Sequence, residues 1–245
     1  MNKVCLITGG ASGLGLEISK FLATKSIDLI ITYNTSSESA FRLKKELEEE
    51  YGIKVVTIKC DISNEEEINN MISIIKDEFS SINYLVNNAA LCIDSLYEDK
   101  TKDNFMKTLE VNLVGTFLVS RLIGDIMYEQ KAGSIVNLSS TNGINKYFPM
   151  SLDYDASKAG INSLTHNLAL QYSPYIRVNA VAPGWVATKN EMKDLDLDYI
   201  KSEEEKIFIK RIAEPIEIAR VIYFLLSDDA SYINNQVIEV DGGMY

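Results

Sequence analysis

Four apolar residues, Val4-Cys5-Leu6-Ile7, run straight into Thr8-Gly9-Gly10-Ala11-Ser12-Gly13-Leu14-Gly15, and a helical apolar pattern continues through Ile18, Phe21 and Leu22. The short unbroken run reads as a strand buried on both faces, the glycine cluster as a tight turn and the pattern beyond it as a helix. A strand that feeds a helix in this way belongs to a parallel sheet, because parallel neighbours need a crossover between them. The rest of the chain repeats the alternation. Further strands are expected at 29–31, 54–58, 83–86, 134–138, 177–181 and 237–240, and helices over 37–51, from about 64 to 79, over 102–130 with an interruption near Asn112, over 154–172, over 189–210 and from Pro215 through Leu226. Asn64 ahead of Glu65, Glu66 and Glu67 suits a capped helix start with acidic groups at the positive end of the dipole. About seven strands with helices on both faces make an α/β doubly wound sheet. No Pro/Gly/Ser linker breaks the pattern, so one domain over 1–245 is expected.

Composition narrows the function. Apolar residues make up 46% and charged ones 24%, ordinary for a soluble globular chain. No apolar run approaches the ~20 residues of a membrane span, and the first apolar stretch meets glycine too soon for a signal peptide. A cytoplasmic location is expected. Cys5, Cys60 and Cys92 are odd in number and lack paired spacing, so neither a disulfide framework nor a metal site is indicated; buried positions at strand ends are expected for all three. The net charge of −11 disfavours nucleic acid and anionic membranes as partners.

Tyr154 and Lys158, four apart, share one face of a helix. A phenol ordinarily holds its proton to a pH of about 10. An ammonium at ~4 Å in an effective dielectric of ~20 favours its anion by about 4 kcal/mol, roughly three pKa units. The pair could then work as an acid/base catalyst. Such a pair also arises by chance in a chain this rich in tyrosine and lysine, so its meaning depends on what lies elsewhere.

The first glycine turn is placed where a dinucleotide pyrophosphate meets the N–H groups of a helix N-terminus, although Gly9, Gly13 and Gly15 do not follow the usual G-x-G-x-x-G spacing. A turn with no ligand fits that pattern too. Taken in order, Thr8-Gly9, Gly13-x-Gly15, Asn87-Asn88-Ala89, Asn112, Ser140, Tyr154-x-x-x-Lys158 and Pro183-Gly184 resemble the short-chain dehydrogenase/reductase family, and the likeness runs to Asp241-Gly242-Gly243.

The resemblance implies a Rossmann-type fold, a nicotinamide cofactor and a set of roles. Tyr154 would exchange a proton with the substrate oxygen, and Lys158 would hold the nicotinamide ribose and acidify the phenol. Ser140 would hydrogen-bond the carbonyl, and Asn112, at a helix break, would hold a water relaying protons to Lys158. Gly9, Ser12, Gly13, Leu14 and Gly15 would take the pyrophosphate side, with Tyr33 and Asn34 at the adenosine ribose. Asp61 and Ile62 would flank the adenine, Asn88 and Ala89 the cofactor ribose, and Pro183, Gly184, Val186 and Thr188 the carboxamide side. A lid over about 188–212 and a homotetramer are implied as well.

Some residues depart from the family pattern. The interval from Ser140 to Tyr154 is one residue longer than is common, so an insertion must be absorbed around 145–150, and Ala90 stands where a glycine usually follows Asn-Asn-Ala. The end of the second strand, Thr32-Tyr33-Asn34-Thr35-Ser36, has no carboxylate to bind a ribose 2′-hydroxyl and no cation for a 2′-phosphate. Ser12 stands at a position that is often basic, and Arg42 lies a turn or more further on. With nothing there to repel a phosphate, NADP(H) is favoured over NAD(H). His166, the only histidine, reads as a packing or interface residue and Glu203-Glu204-Glu205 as a solvated helix face.

The expected activity is therefore hydride transfer between NADP(H) and a small carbonyl or alcohol substrate, most similar to the 3-oxoacyl-carrier-protein reductase branch, with an acyl thioester as the substrate. A sugar, polyol, steroid or other small ketone is the alternative, because Lys131 offers one cation for an acidic carrier but the turn at Ser173-Pro174-Tyr175 has none. A dinucleotide-sensing regulator without catalysis is the reading from another class.

Overall fold

The structure, a computed structural model, describes residues 2–193 and 195–244. Met1 and Tyr245, the ends of the expected domain, and Asp194, inside the expected lid, lie outside the described residues. Seven strands form one parallel sheet in the order β3-β2-β1-β4-β5-β6-β7. They are β1 (Val4–Ile7), β2 (Asp28–Tyr33), β3 (Val55–Lys59), β4 (Tyr84–Asn87), β5 (Gly133–Leu138), β6 (Ile176–Pro183) and β7 (Val237–Val240). The order reverses direction between β1 and β4, and doubly wound sheets bind ligands at such a switch point.

The helices are α1 (Gly13–Ala23), α2 (Ser37–Tyr51), α3 (Glu65–Glu78), α4 (Lys102–Leu109), α5 (Thr116–Gln130), α6 (Leu152–Tyr172), α7 (Lys189–Met192), α8 (Leu197–Lys206) and α9 (Pro215–Leu226). One face of the sheet packs Ile7, Ile31 and Val136 against Leu22 of α1, Leu43 of α2 and Ile222 of α9. The other packs Leu6, Leu85 and Ile135 against Ile68 of α3, Ile123 of α5 and Leu168 of α6. Strands covered on both faces account for the unbroken apolar runs. The fold is thus the single-domain, Rossmann-type α/β sheet expected from the pattern.

Two local features matter for the site. Asn64 caps α3, its side chain accepting from the N–H groups of Glu66 and Glu67. The helical path from Lys102 to Gln130 loosens into a π turn over Glu110–Gly115, which is where the sequence suggested a break. This path contains a window long and apolar enough to cross a membrane by composition, but Val119, Ile123 and Met127 are fully buried against the sheet. It is a core helix of this fold.

Two stretches differ from expectation. Residues 189–210 form two helices, α7 and α8, instead of one; Asp196 starts α8 afresh by accepting from the Asp198 N–H. Of the cysteines, Cys5 and Cys60 are buried and Cys92 is exposed, because it lies in an irregular loop after β4 where no strand covers it.

Candidate active site

The carboxyl ends of β1, β2, β3 and β4 open onto a cleft of about 920 Å³ whose lining includes Gly9, Ser12, Gly13, Tyr33, Asn34, Asp61, Ile62, Asn88 and Ala89. Gly9 and Gly13 have φ of +63° and +51°, conformations that favour glycine. A Cβ on Gly15 would collide with the Gly9 carbonyl oxygen and with Asn88 Nδ2, so the spacing of these glycines follows from how closely turn and helix approach. The turn is braced from both neighbouring strands. Thr32 Oγ1 accepts from the Gly9 N–H at 3.1 Å, Thr8 Oγ1 accepts from the N–H groups of Asn88 and Ala89, and Asn88 Nδ2 donates to the Thr8 and Gly9 carbonyls. Thr8 opens the glycine motif seen in the sequence, but neither threonine was given a role there; for Thr32 the only signal was its place near a strand end.

Ser12 occupies the N-cap of α1 without placing a side-chain hydrogen bond on the helix, which suits a first turn whose N–H groups serve an anion. At the other end of the cleft Asn34 Nδ2 donates to Asp61 at 3.1 Å, and Ser63 donates through both its N–H and its hydroxyl. Burial alone would raise the Asp61 pKa; the hydrogen bonds from Ser63 and Asn34 outweigh it and hold the carboxyl below its ordinary range. Leu14 turns its side chain onto the core, leaving only main chain for the cleft. Thr188 lines a second recess of about 600 Å³, beside Ser12, Gly13, Lys20, Ser39 and Arg42. Pro183 ends β6, Gly184 donates to the Val240 carbonyl, and Val186 pairs with Ala213.

Tyr154 and Lys158, the expected acid/base pair, lie near the start of α6. The Lys158 ammonium is 5.3 Å from the centroid of the Tyr154 ring and donates to the Leu138 carbonyl at 2.6 Å. Lys158 is only 3% exposed. Burial lowers its pKa to about 8, and nearby Cys92 acts slightly in the opposite sense. Ser139 and Ser140 part ways here. The Ser139 hydroxyl is buried and engaged with Asn162 at 2.6 Å and the Lys158 carbonyl, whereas Ser140 is half-buried and accepts from the Asn142 N–H.

Asn112, in the π turn, accepts from the Leu91 N–H at 2.6 Å and donates to the Leu91 carbonyl and to Ser157 Oγ. Its side chain therefore holds the loop after β4 to α6, with both amide protons engaged. Gly160 of α6 faces Leu113 at a distance a Cβ would crowd, which brings the π turn against the Tyr154 helix. In the interval before Tyr154, Tyr147 is exposed, and Asp155 accepts from Asn142 Nδ2 on one side of it and from the Phe148 N–H on the other.

Two expectations about charged and polar residues divide. His166 is exposed, its Nδ1 meets Asn235 Oδ1 at 2.6 Å, and it does not line the cleft. Glu203 corrects the reading of a solvated face: it is buried, pairs with Lys206 at 2.5 Å and accepts from Trp185 Nε1 at 3.2 Å. The indole lies 18 residues back along the chain, a separation that local charge patterning does not reveal.

Fold and site define an oxidoreductase that uses a nicotinamide dinucleotide. A family signature described as enoyl-(acyl carrier protein) reductase matches residues 9–245. The 3-oxoacyl-[acyl-carrier-protein] reductase of Aquifex aeolicus is 37% identical over 250 residues, covering 99% of this chain and 97% of that protein. The levodione reductase of Leifsonia aquatica is 38% identical over 252 residues, 99% of this chain and 94% of that protein. A crystal structure of levodione reductase superposes with a TM-score of 0.89 at 36% identity, over 98% of this chain and 96% of the other. The chain belongs to the short-chain dehydrogenase/reductase family, as an NAD(P)-dependent carbonyl/alcohol oxidoreductase most similar to the 3-oxoacyl-carrier-protein reductases.

Proposed function

We propose that the protein reduces a 3-oxoacyl thioester with NADPH, and that Tyr154 delivers the proton to the ketone oxygen. The observation that carries this reading is the buried Lys158 ammonium beside the Tyr154 ring. A bound nicotinamide would supply the hydride. In the reduction direction Tyr154 gives its phenolic proton to the oxygen as negative charge develops there, and Lys158 stabilises the phenolate left behind. Ser140 donates to the same oxygen and keeps it in line. Asn112 holds Leu91 in the loop after β4, and a water held at Asn112 relays a proton through Lys158 back to the Tyr154 phenolate.

The residues fit a dinucleotide: Gly15 leaves the space a Cβ would fill, and the N-terminus of α1 faces the cleft that runs past Asn88 to Asp61. NADP(H) is favoured because Tyr33, Asn34, Thr35 and Ser36 line the cleft with no carboxylate among them, and Arg42 shares the adjoining recess with Ser12. Pro183, Gly184, Val186 and Thr188 border the nicotinamide end, and the segment about 188–212 closes over the substrate as a lid within the single domain 1–245. Exposed Phe117 and Tyr128 on α5 and Leu170 on α6 support self-association as a homotetramer, and a cytoplasmic location goes with this reading.

A second reading is favoured by a specific observation. Lys131 is drawn over the Tyr175 ring, 5.9 Å from its centroid, so the one cation near that turn is partly engaged, and the whole chain carries −11. An acidic carrier would be repelled, and a free small ketone, the kind named by levodione reductase, would not. NADPH and NADH oxidation measured with an acetoacetyl thioester, cyclic diketones, simple sugars and steroid ketones decides between them. Turnover of the thioester with NADPH supports the first reading; failure there with success on a free ketone supports the second.

A further inference from the structure

The stretch between Asn88 and Leu96, which has no regular structure, brings Leu91 to the cleft as part of its wall and Cys92 close enough to Lys158 to act on its charge. Three ties hold its Leu91–Ser95 part: Asn112 on Leu91, the Met150 carbonyl on the Ser95 N–H, and Lys100 on Ile93. The third is unlike the others. Lys100 Nζ donates to the Ile93 carbonyl at 2.5 Å and to Asp153 Oδ1 at 2.9 Å, and the two side chains are 5% and 0% exposed. Thr108 of α4 donates to the second oxygen of the same carboxylate at 2.7 Å. One ammonium and one carboxylate thus join the wall loop, α4 and the residue immediately before Tyr154.

A buried ion pair is a poor way to gain stability, because both ions lose their hydration and a well-packed apolar pair often does as well. It is a good way to set position, since a misplaced partner leaves an uncompensated charge. Asp153 reflects that arrangement: burial raises its pKa, the hydrogen bonds from Lys100 and Thr108 more than offset this, and the carboxyl stays ionised below its ordinary range. Neither residue is among those that line the cofactor cleft.

We propose that Lys100 and Asp153 are a positioning pair that sets the gap between Tyr154 and the Leu91–Ser95 wall, and thereby the size of ketone that reaches the phenol. The claim about substrate size rests on the proposed reductase activity; the claim about loop position does not. A pair of this kind acts on substrate fit and leaves the glycine turn, and so cofactor affinity, as it was.

The test compares wild type with Lys100→Met and with the double variant Lys100→Met/Asp153→Asn, which keeps side-chain volume and removes the lone buried charge in case the single variant fails to fold. Two readouts are taken: amide hydrogen exchange over residues 91–97 and 9–16, and kcat and KM for a small and a bulky ketone, with NADPH affinity measured alongside. The expected result is exchange faster by about tenfold or more in 91–97 alone, unchanged NADPH affinity, and a kcat/KM ratio between the two ketones altered by about tenfold, mostly through KM. Unchanged exchange in 91–97 overturns the positioning claim whatever the kinetics. Faster exchange with the same ketone ratio overturns the claim about size. If wild type turns over no carbonyl compound, the reductase reading fails and hydrogen exchange still decides whether the pair holds the loop.

Discussion

The two walls of the active cleft are built differently. On the cofactor side the work is done mainly by backbone: two glycines at positive φ, a third where no side chain fits, and strand-end threonines that accept from main-chain N–H groups, Thr32 from Gly9 and Thr8 from Asn88 and Ala89. On the substrate side, irregular loops are held by single polar side chains reaching from other elements: Asn112 to Leu91, Lys100 to Ile93 and Asp153, Asp155 to Asn142 and Phe148, Glu203 to Trp185. A backbone-built wall fixes what it binds and tolerates little change. A wall held by side-chain ties can be refitted by altering one residue, which suits a fold that presents different substrates to one cofactor.

Changing each wall in turn tests this contrast, beginning with the group that both share. Lys158→Met should lower kcat by about 10²–10⁴-fold, the usual worth of acid/base assistance. It should also stabilise the protein without ligands. Lys158 in the fold has its pKa near 8 against an ordinary 10.5, so the folded state disfavours the proton. The penalty is fully present below pH 8 and fades as pH rises towards 10.5. Converted directly, that shift is roughly 3 kcal/mol, so melting curves at pH 7 should show the variant several degrees above wild type, with the gap closing near pH 10.5.

Gly15→Ala should come next, lowering stability by about 1–3 kcal/mol through overpacking and weakening NADPH binding measured by calorimetry. Asn34→Asp should move preference from NADPH towards NADH by about tenfold, ~1.4 kcal/mol, since a carboxylate accepts from a ribose hydroxyl and repels a phosphate. Glu203→Gln should be smallest, altering KM and kcat together by less than about tenfold, as loosening of a lid does, with melting temperature unchanged. If the glycine variant altered substrate preference, or the Glu203 variant altered cofactor affinity, the division of labour would be wrong.

That division also explains what could be read from the sequence. Backbone-built features leave local patterns: the glycine turn, the capped start of α3, the bounds of α2 at Ser37 and Tyr51, the break at Asn112. Side-chain ties leave none, because their partners are distant along the chain. Lys100 and Asp153 lie 53 residues apart, and nothing near either one says it is buried. Glu203 looked solvated beside Glu204 and Glu205 for the same reason, and the stretch 189–210 looked like one helix because its composition is helical throughout while Asp196 restarts it. Ser140 could be preferred over Ser139 only by family likeness; the structure adds a physical ground, since Ser139 is already engaged by Asn162.

The central claim is that Tyr154 passes the proton while the cofactor wall stands without it. Tyr154→Phe, assayed on one preparation for NADPH affinity and for turnover of the best ketone, tests this most directly. The account predicts wild-type affinity with turnover lost by at least about 10²-fold; undiminished turnover at full affinity would contradict it.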